Sequence, residues 1–220
     1  MANSNTISFP DPEMLKFSLG RFAGGVLLVT VVIGLFSSFY QVPANSVAVV
    51  QRFGSYTKTV NPGLHFKLPF GIDEKTNVEV LRQLKLEFGY GTLGGSNSYQ
   101  YASDRYEQEA EKNMVTGDLN AAIVEWVIQF HIGDAYDYVF NFREPQQTLR
   151  ALTEAVMREV VGDRTIDEVL TFGRQEIEVE ALGRLQELVA SLHMGIQIDQ
   201  IQLGNVNPPP PVQASFDEVN

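Results

Sequence analysis

From Phe22 to Tyr40 the chain reads FAGGVLLVTVVIGLFSSFY, nineteen residues without a charge. At about 1.5 Å per residue such a run makes a helix of roughly 29 Å, close to the ~30 Å hydrocarbon core of a bilayer. A helix buried in a protein core normally keeps one polar stripe, and here the only polar side chains are Thr30, Ser37 and Ser38. Residues 22–40 therefore read as a transmembrane helix, with Phe22 and Tyr40 at its ends. A cleavable signal peptide is the alternative, with Ala44 and Ser46 as the small residues of a cleavage site. The run exceeds the ~7–15 apolar residues of a signal core, and residues 1–21 before it are more than the leading segment of a signal peptide needs. Lys16 and Arg21 flank the N-terminal end closely, whereas the first basic residue beyond Tyr40 is Arg52. The rule that basic flanks stay inside keeps the short arm 1–21 in the cytoplasm and exports the large domain beyond Tyr40.

The 220 residues leave room for about one folded domain beyond the anchor. A net charge of −11 argues against a nucleic-acid partner, which needs a basic face. It also means that contact with anionic headgroups has to come from a local apolar or basic spot. With no cysteine there is no disulfide, no thiolate metal site and no cysteine nucleophile.

The first half after the anchor has strand character. Val47–Phe53 is rich in β-branched residues and ends at Gly54. Asn61-Pro62-Gly63 is a turn signal, after which Leu64, Phe66, Leu68 and Phe70 alternate at period two. Val78–Tyr90 reads as one long half-buried strand, and residues 91–112 as an exposed loop without periodicity. Thr116-Gly117-Asp118 turns the chain into Leu119–Ile132, where Ala122, Val124, Trp126, Ile128, Phe130 and Ile132 share one face. The second half changes period. Gln146–Val161, started by Pro145, is an amphipathic helix, Thr165–Leu170 opens with capping-box spacing, and Ile177–Leu192 is a third helix ended near Gly195. Ile196–Leu203 returns to strand, with a phase slip at Asp199-Gln200 that predicts a bulge. Pro208–Pro211 is rigid punctuation, and Val212–Asn220 is expected to begin a helix.

Signals for chemistry are weak. Gly89-Tyr90-Gly91-Thr92-Leu93-Gly94 fits a dinucleotide fingerprint in letters, but GSNSYQ comes next where an apolar helix is required. His65, His131 and His193 lie far apart, none with a partner at metal-ligand spacing, and Glu125 is six strand positions from His131. Ser96 and Ser98 sit in a Gly-rich stretch without a nucleophile elbow. Glu154/Arg158 and Glu180/Arg184 are ordinary i,i+4 pairs. These residues point to no enzyme, no metal and no cofactor. Leu64, Phe66, Leu68 and Phe70, with Lys67 and Pro69 between them, admit two readings. One is a buried strand face. The other is a hairpin dipping into a lipid interface, with Lys67 near phosphate.

The segments SVAVVQRFGSYTKTVNPGLHFKLPF, NVEVLRQLKLEFGY, MVTGDLNAAIVEWVIQFHI, FREPQQTLRALTEAVMREVVGDRTIDEVLTFGRQEI and MGIQIDQIQLGNVNPPPPVQASFDEV together resemble the SPFH (Band 7, prohibitin-homology) superfamily. VGDRTIDEVLTFGR and the Pro-rich junction are more specific to its HflK-like branch. The resemblance implies an α+β fold over 46–206, a small antiparallel sheet with packed helices behind one transmembrane helix, and a variable loop at 91–112. Residues 207–220 then form a Pro-rich junction and the start of the coiled-coil helix into which the family continues. It further implies a single-pass protein of the bacterial inner membrane whose domain is periplasmic. Such proteins form large rings or cages with a paralogous HflC-like subunit around the hexameric AAA+ protease FtsH. A stomatin- or prohibitin-like microdomain organiser without a dedicated protease is the alternative, and a membrane-tethered hydrolase is the enzyme-class one.

Overall fold

A computed structural model of the chain describes residues 12–90 and 105–208, with side chains described at Phe22, 24–90 and 108–208. Helix α1 (Pro12–Ser37) leads within one residue into β1 (Phe39–Val42). The helix expected to run to Tyr40 thus stops at Ser37. Ser38 Oγ donates back to the Gly34 carbonyl at 2.7 Å, while the Ser38 carbonyl accepts the Lys67 amide at 2.8 Å. Strand pairing therefore takes over where helix bonding ends. Among the described residues no helix is long and apolar enough to cross a membrane.

Beyond β1 the chain folds as strands β2 (Val47–Arg52), β3 (Ser55–Val60), β4 (Gly63–Phe66) and β5 (Asp73–Val78). β1 and β4 form a two-stranded antiparallel ribbon, and β3-β2-β5 a three-stranded antiparallel sheet. Phe53 and Gly54 both have positive φ, 49° and 81°, as the tight β2–β3 hairpin requires. Strand β2 is buried on both sides, which explains its unbroken apolar letters. Ala48 and Val50 face Tyr40 and Val42 of the ribbon, whereas Val49 joins Val78 in the main core.

The expected single strand Val78–Tyr90 is two strands in two sheets. β5 ends at Val78, and β6 (Leu84–Phe88) begins a new sheet. Between them the Leu81 amide turns to the Asn45 carbonyl, and Arg82 pairs with Glu79 at 2.9 Å. The expected loop 91–112 also needs correction: Arg105–Lys112 is helix α2, and 91–104 lies outside the described residues. Strand β7 (Asn113–Val115) comes next, then the long β8 (Ala121–Ile132). β8 carries β6 and β7 along one edge and β9 (Ile196–Asn207) along the other.

Helices α3 (Ala135–Phe140), α4 (Pro145–Gly162), α5 (Ile166–Leu170) and α6 (Arg174–Ser191) complete the second half. The even positions of β8 from Ala122 to Ile132 are buried as expected, in one core with Leu149, Val156 and Val160 of α4 and Ile177, Ala181 and Leu185 of α6. Trp126 stacks on Phe88, centroids 4.7 Å apart. The capping box at Thr165 and Glu168 is present. The expected bulge is there too: Gln129 pairs with Gln200 and Phe130 with Ile198, leaving Asp199 unpaired in the ladder. Arg150 is a half-buried cation, bonded to Glu111 at 2.7 and 2.8 Å and laid over the Phe88 ring at 4.5 Å. The α+β character is therefore seen directly, with antiparallel sheets and helices in separate stretches of the chain.

Candidate membrane-facing surface

The ribbon β1–β4 decides the fate of the alternating residues. In its register Phe39 lies opposite Phe66, Tyr40 opposite His65 and Gln41 opposite Leu64. Facing partners share a side, so Tyr40 and Val42 point inward onto β2, and Phe39, Leu64 and Phe66 point outward. Leu64 is 72% exposed and Phe66 52%, and Phe66 meets Phe39 edge-on at 5.8 Å. Tyr40 is buried in the small cluster on β2.

The period-two pattern does not continue as strand past Phe66. Lys67 gives its amide to Ser38, and Leu68 gives its amide to the Asp73 carboxylate at 3.0 Å. Phe70 then turns with φ 63°. It packs on α1, where a Cβ on Gly34 would lie 3.1 Å from the Phe70 ring, and it is still 66% exposed. Lys67 and Leu68 are half-buried. Asp73 holds this turn in place, taking Arg52 at 2.8 and 3.2 Å as well as the Leu68 amide. The hydrogen bonds from Arg52 first, and from Leu68 second, hold its carboxyl below the usual carboxylate range.

Three aromatic residues that the sequence reading did not assign to this surface join it. Phe36 on the last turn of α1 and Phe39 are both exposed. Phe53 is 81% exposed at the β2–β3 turn, and its amide bonds to Ile72, two residues from Phe70. One signal for Phe53 was available: a left-handed position before Gly favours Asn or Asp, and a bulky aromatic there costs of order 1–3 kcal/mol. Phe39 carried none, because its letters continue the apolar run.

The same apolar exposure continues along α1, where Val26, Leu27, Leu28, Val29, Val31 and Ile33 are all exposed. A patch of this extent on a water-facing surface is unfavourable, and it marks a site covered by lipid or by a partner. The arrangement offers no reaction chemistry.

The remaining candidate residues are dispersed. His65 Nε2 bonds to the Asn61 carbonyl at 2.7 Å, and His193 Nδ1 lies 3.1 Å from the Ser191 carbonyl. His131 Nδ1 lies 2.9 Å from Asp199, which the bulge re-aims, and Glu125 instead accepts from Asn205. Among the described residues no three carboxylates or histidines converge as a metal site. Ser96, Ser98 and the motif positions 91–94 lie outside the described residues. Glu154/Arg158 and Glu180/Arg184 pair along their helices.

Comparison with known proteins bears on what such a surface belongs to. The family model described as SPFH domain / Band 7 family matches residues 40–220. Protein HflK of Treponema pallidum is 36% identical over 199 residues, covering 90% of this chain and 59% of the relative. Protein HflK of Borreliella burgdorferi is 29% identical over 196 residues, covering 89% and 61%. The Modulator of FtsH protease HflK of Escherichia coli K12 is 30% identical over 201 residues, covering 90% and 42%. The chain thus spans less than two thirds of the length of these relatives.

Proposed function

Because the chain belongs to the SPFH domain / Band 7 family, we propose that it is a membrane-anchored scaffold that regulates an FtsH-like AAA+ protease. The observation that carries this reading is the 30% identity, over 90% of the chain, to a protein named as modulator of FtsH protease. The charge-free part of α1, from Phe22 to Ser37, crosses the bacterial inner membrane once, the arm 1–21 stays in the cytoplasm and the domain lies in the periplasm. The charge-free run and the all-round apolar exposure of α1 support the anchor. Lys16 and Arg21 support the orientation. An HflC-like paralogue is the second subunit of the assembly.

The outer face of the ribbon rests on lipid. Leu64, Phe66 and Phe70 enter the interface beside the end of the anchor, with Lys67 at headgroup depth and Leu68 beneath it. Their exposure, together with the contact of Phe70 with Gly34, supports this placement.

Purification of the full chain from gently solubilised membranes tests the assembly. A stoichiometric AAA+ metalloprotease is expected, together with an HflC-like subunit. Rings or patches free of any protease would favour the microdomain-organiser alternative. For the interface, Phe66→Asp with Phe70→Asp should weaken lipid contact and leave thermal unfolding near that of the parent. A large fall in melting temperature returns these residues to the core, since a buried unpaired charge unfolds a domain.

A further inference from the structure

Charge is divided unevenly along the chain. Residues 39–78 carry four basic and two acidic side chains, whereas 84–207 carry nine basic and twenty acidic ones. The two groups also differ in pairing. In the acidic part Lys85, Lys112, Arg150, Arg158, Arg164 and Arg184 each lie within 4.0 Å of a carboxylate. In residues 39–78 Arg52 is bound to Asp73. Among the described residues Lys58, Lys67 and Lys75 have no ion-pair partner.

These three lysines surround the ribbon. Lys58 on β3 and Lys75 on β5 both lie opposite Val50 in register, so they project from the face of the sheet that carries β1 and β4. Lys75 crosses the side of the ribbon, its Nζ 3.3 Å from the Gln41 carbonyl and 5.0 Å over the Tyr40 ring. Lys67 sits where the ribbon meets α1, its amide bonded to Ser38. An apolar face of Phe39, Leu64 and Phe66 is therefore rimmed by ammonium groups that lack a carboxylate in contact, on an otherwise acidic molecule, with Asp73 attracting Lys58 only from a distance. That is the pattern of an interfacial binding surface.

We propose that residues 39–78 dock on anionic phospholipid, with Lys58 and Lys75 meeting headgroup phosphates on the two flanks of the ribbon and Lys67 meeting them beside α1. This rests on the reading that the ribbon lies on lipid, and it adds which lipid. An acidic protein face would suit the same lysines. Lipid is favoured because a single residue, Ser38, separates α1 from β1, and the contacts Lys67–Ser38 and Phe70–Gly34 tie the ribbon to the helix end. A lobe held this way stays at the surface its helix enters.

The chain has no cysteine, so a single probe can be placed. The full chain carrying Asn61→Cys, labelled with an environment-sensitive fluorophore in the exposed β3–β4 turn, is reconstituted in nanodiscs. The discs contain phosphatidylcholine alone or phosphatidylcholine with phosphatidylglycerol. Emission is expected to strengthen and shift to the blue in the anionic discs, and the difference to collapse as salt rises from about 0.05 M to about 0.5 M. Each lysine near an anionic surface is worth about a fivefold shift, so Lys58→Gln with Lys75→Gln should lower the docked-to-undocked ratio about 25-fold. Lys58→Arg with Lys75→Arg should retain docking, which separates charge from any effect on folding. Equal lipid-like emission in both discs, or indifference to salt, overturns the lipid choice and leaves the ribbon on lipid. Water-like emission in both discs overturns the lipid placement itself, and this inference with it. A blue shift that appears only on adding membrane-extract protein assigns the lysines to an acidic protein face and overturns it as well.

Discussion

Strand β8 and the ribbon β1–β4 both alternate, yet what faces away from the core differs. Along β8 the outward positions are Ile123, Glu125, Val127, Gln129 and His131, a half-buried mixture of apolar and polar groups. On the ribbon they are Phe39, Leu64 and Phe66, with only Gln41 polar, and all four are exposed. The inward faces are alike: Trp126 and its neighbours fill the main core, and Tyr40 and Val42 fill a small one on β2. Alternation thus reports that a strand has two faces. It does not report which medium each face meets.

The sharpest contrast comes from cutting one inward and one outward aromatic. Trp126→Ala removes a fully buried ring stacked on Phe88 and should cost about 3–5 kcal/mol in chemical denaturation. A loss below about 1 kcal/mol would mean that the inward face of β8 is not core. Next in size is Arg150→Met, which strands Glu111, itself only 8% exposed, without its guanidinium. A cost of about 3 kcal/mol in urea unfolding is expected, with part of it recovered when Glu111→Gln is added.

A smaller, local effect comes from Asp73. Its carboxyl is held below the ordinary value of about 3.9, so its stabilising contribution is fully present above that value. The contribution is lost as pH falls through the lower folded-state value. Amide exchange at Leu68, referenced to Asp73→Asn, should keep its extra protection above the ordinary carboxylate value and lose it as pH falls below that value, with the variant unprotected throughout. Protection that survives full protonation would show that the turn 67–70 is held by something other than this carboxylate. The smallest effect belongs to the outward ribbon face. Leu64→Ala and Phe66→Ala, measured by thermal unfolding, should each stay within about 0.5 kcal/mol of the parent. A loss near that of Trp126→Ala would erase the difference between the two faces.

Several elements were legible because their signals are local. The buried side of β8, the α4 stripe Leu149–Val160, the Thr165 capping box and the Asp199 bulge all stem from spacing within a few residues. The misread stretches depend on distant partners. Nothing in Val78–Tyr90 says that the chain leaves one sheet and enters another, because the break is set by Asn45 capturing the Leu81 amide. Likewise Ser38–Tyr40 is uniformly helix-compatible in letters, and the Lys67 amide bonds to the Ser38 carbonyl where the helix ends and strand β1 begins. α2 was hidden because five of the eight residues of RYEQEAEK are charged and it offers no sustained apolar stripe.

Of the candidate site, the sequence determined its composition: an apolar, aromatic turn behind a charge-free run, with lysine among the aromatics. Which of those side chains would be open was decided only in three dimensions. Period-two spacing assigns Leu64 and Phe66 to the same side of a strand, but not to the outside. That side became the outer one because Tyr40 and Val42 took the single available place on Ala48 and Val50, leaving the opposite face of the ribbon uncovered. The lysines obeyed the same division, since residues alone cannot show that Lys58 and Lys75 flank one valine. Cross-strand register brings them there across 17 residues of sequence. Local spacing fixes which residues share a face, and only the packing of one sheet on another fixes what that face meets.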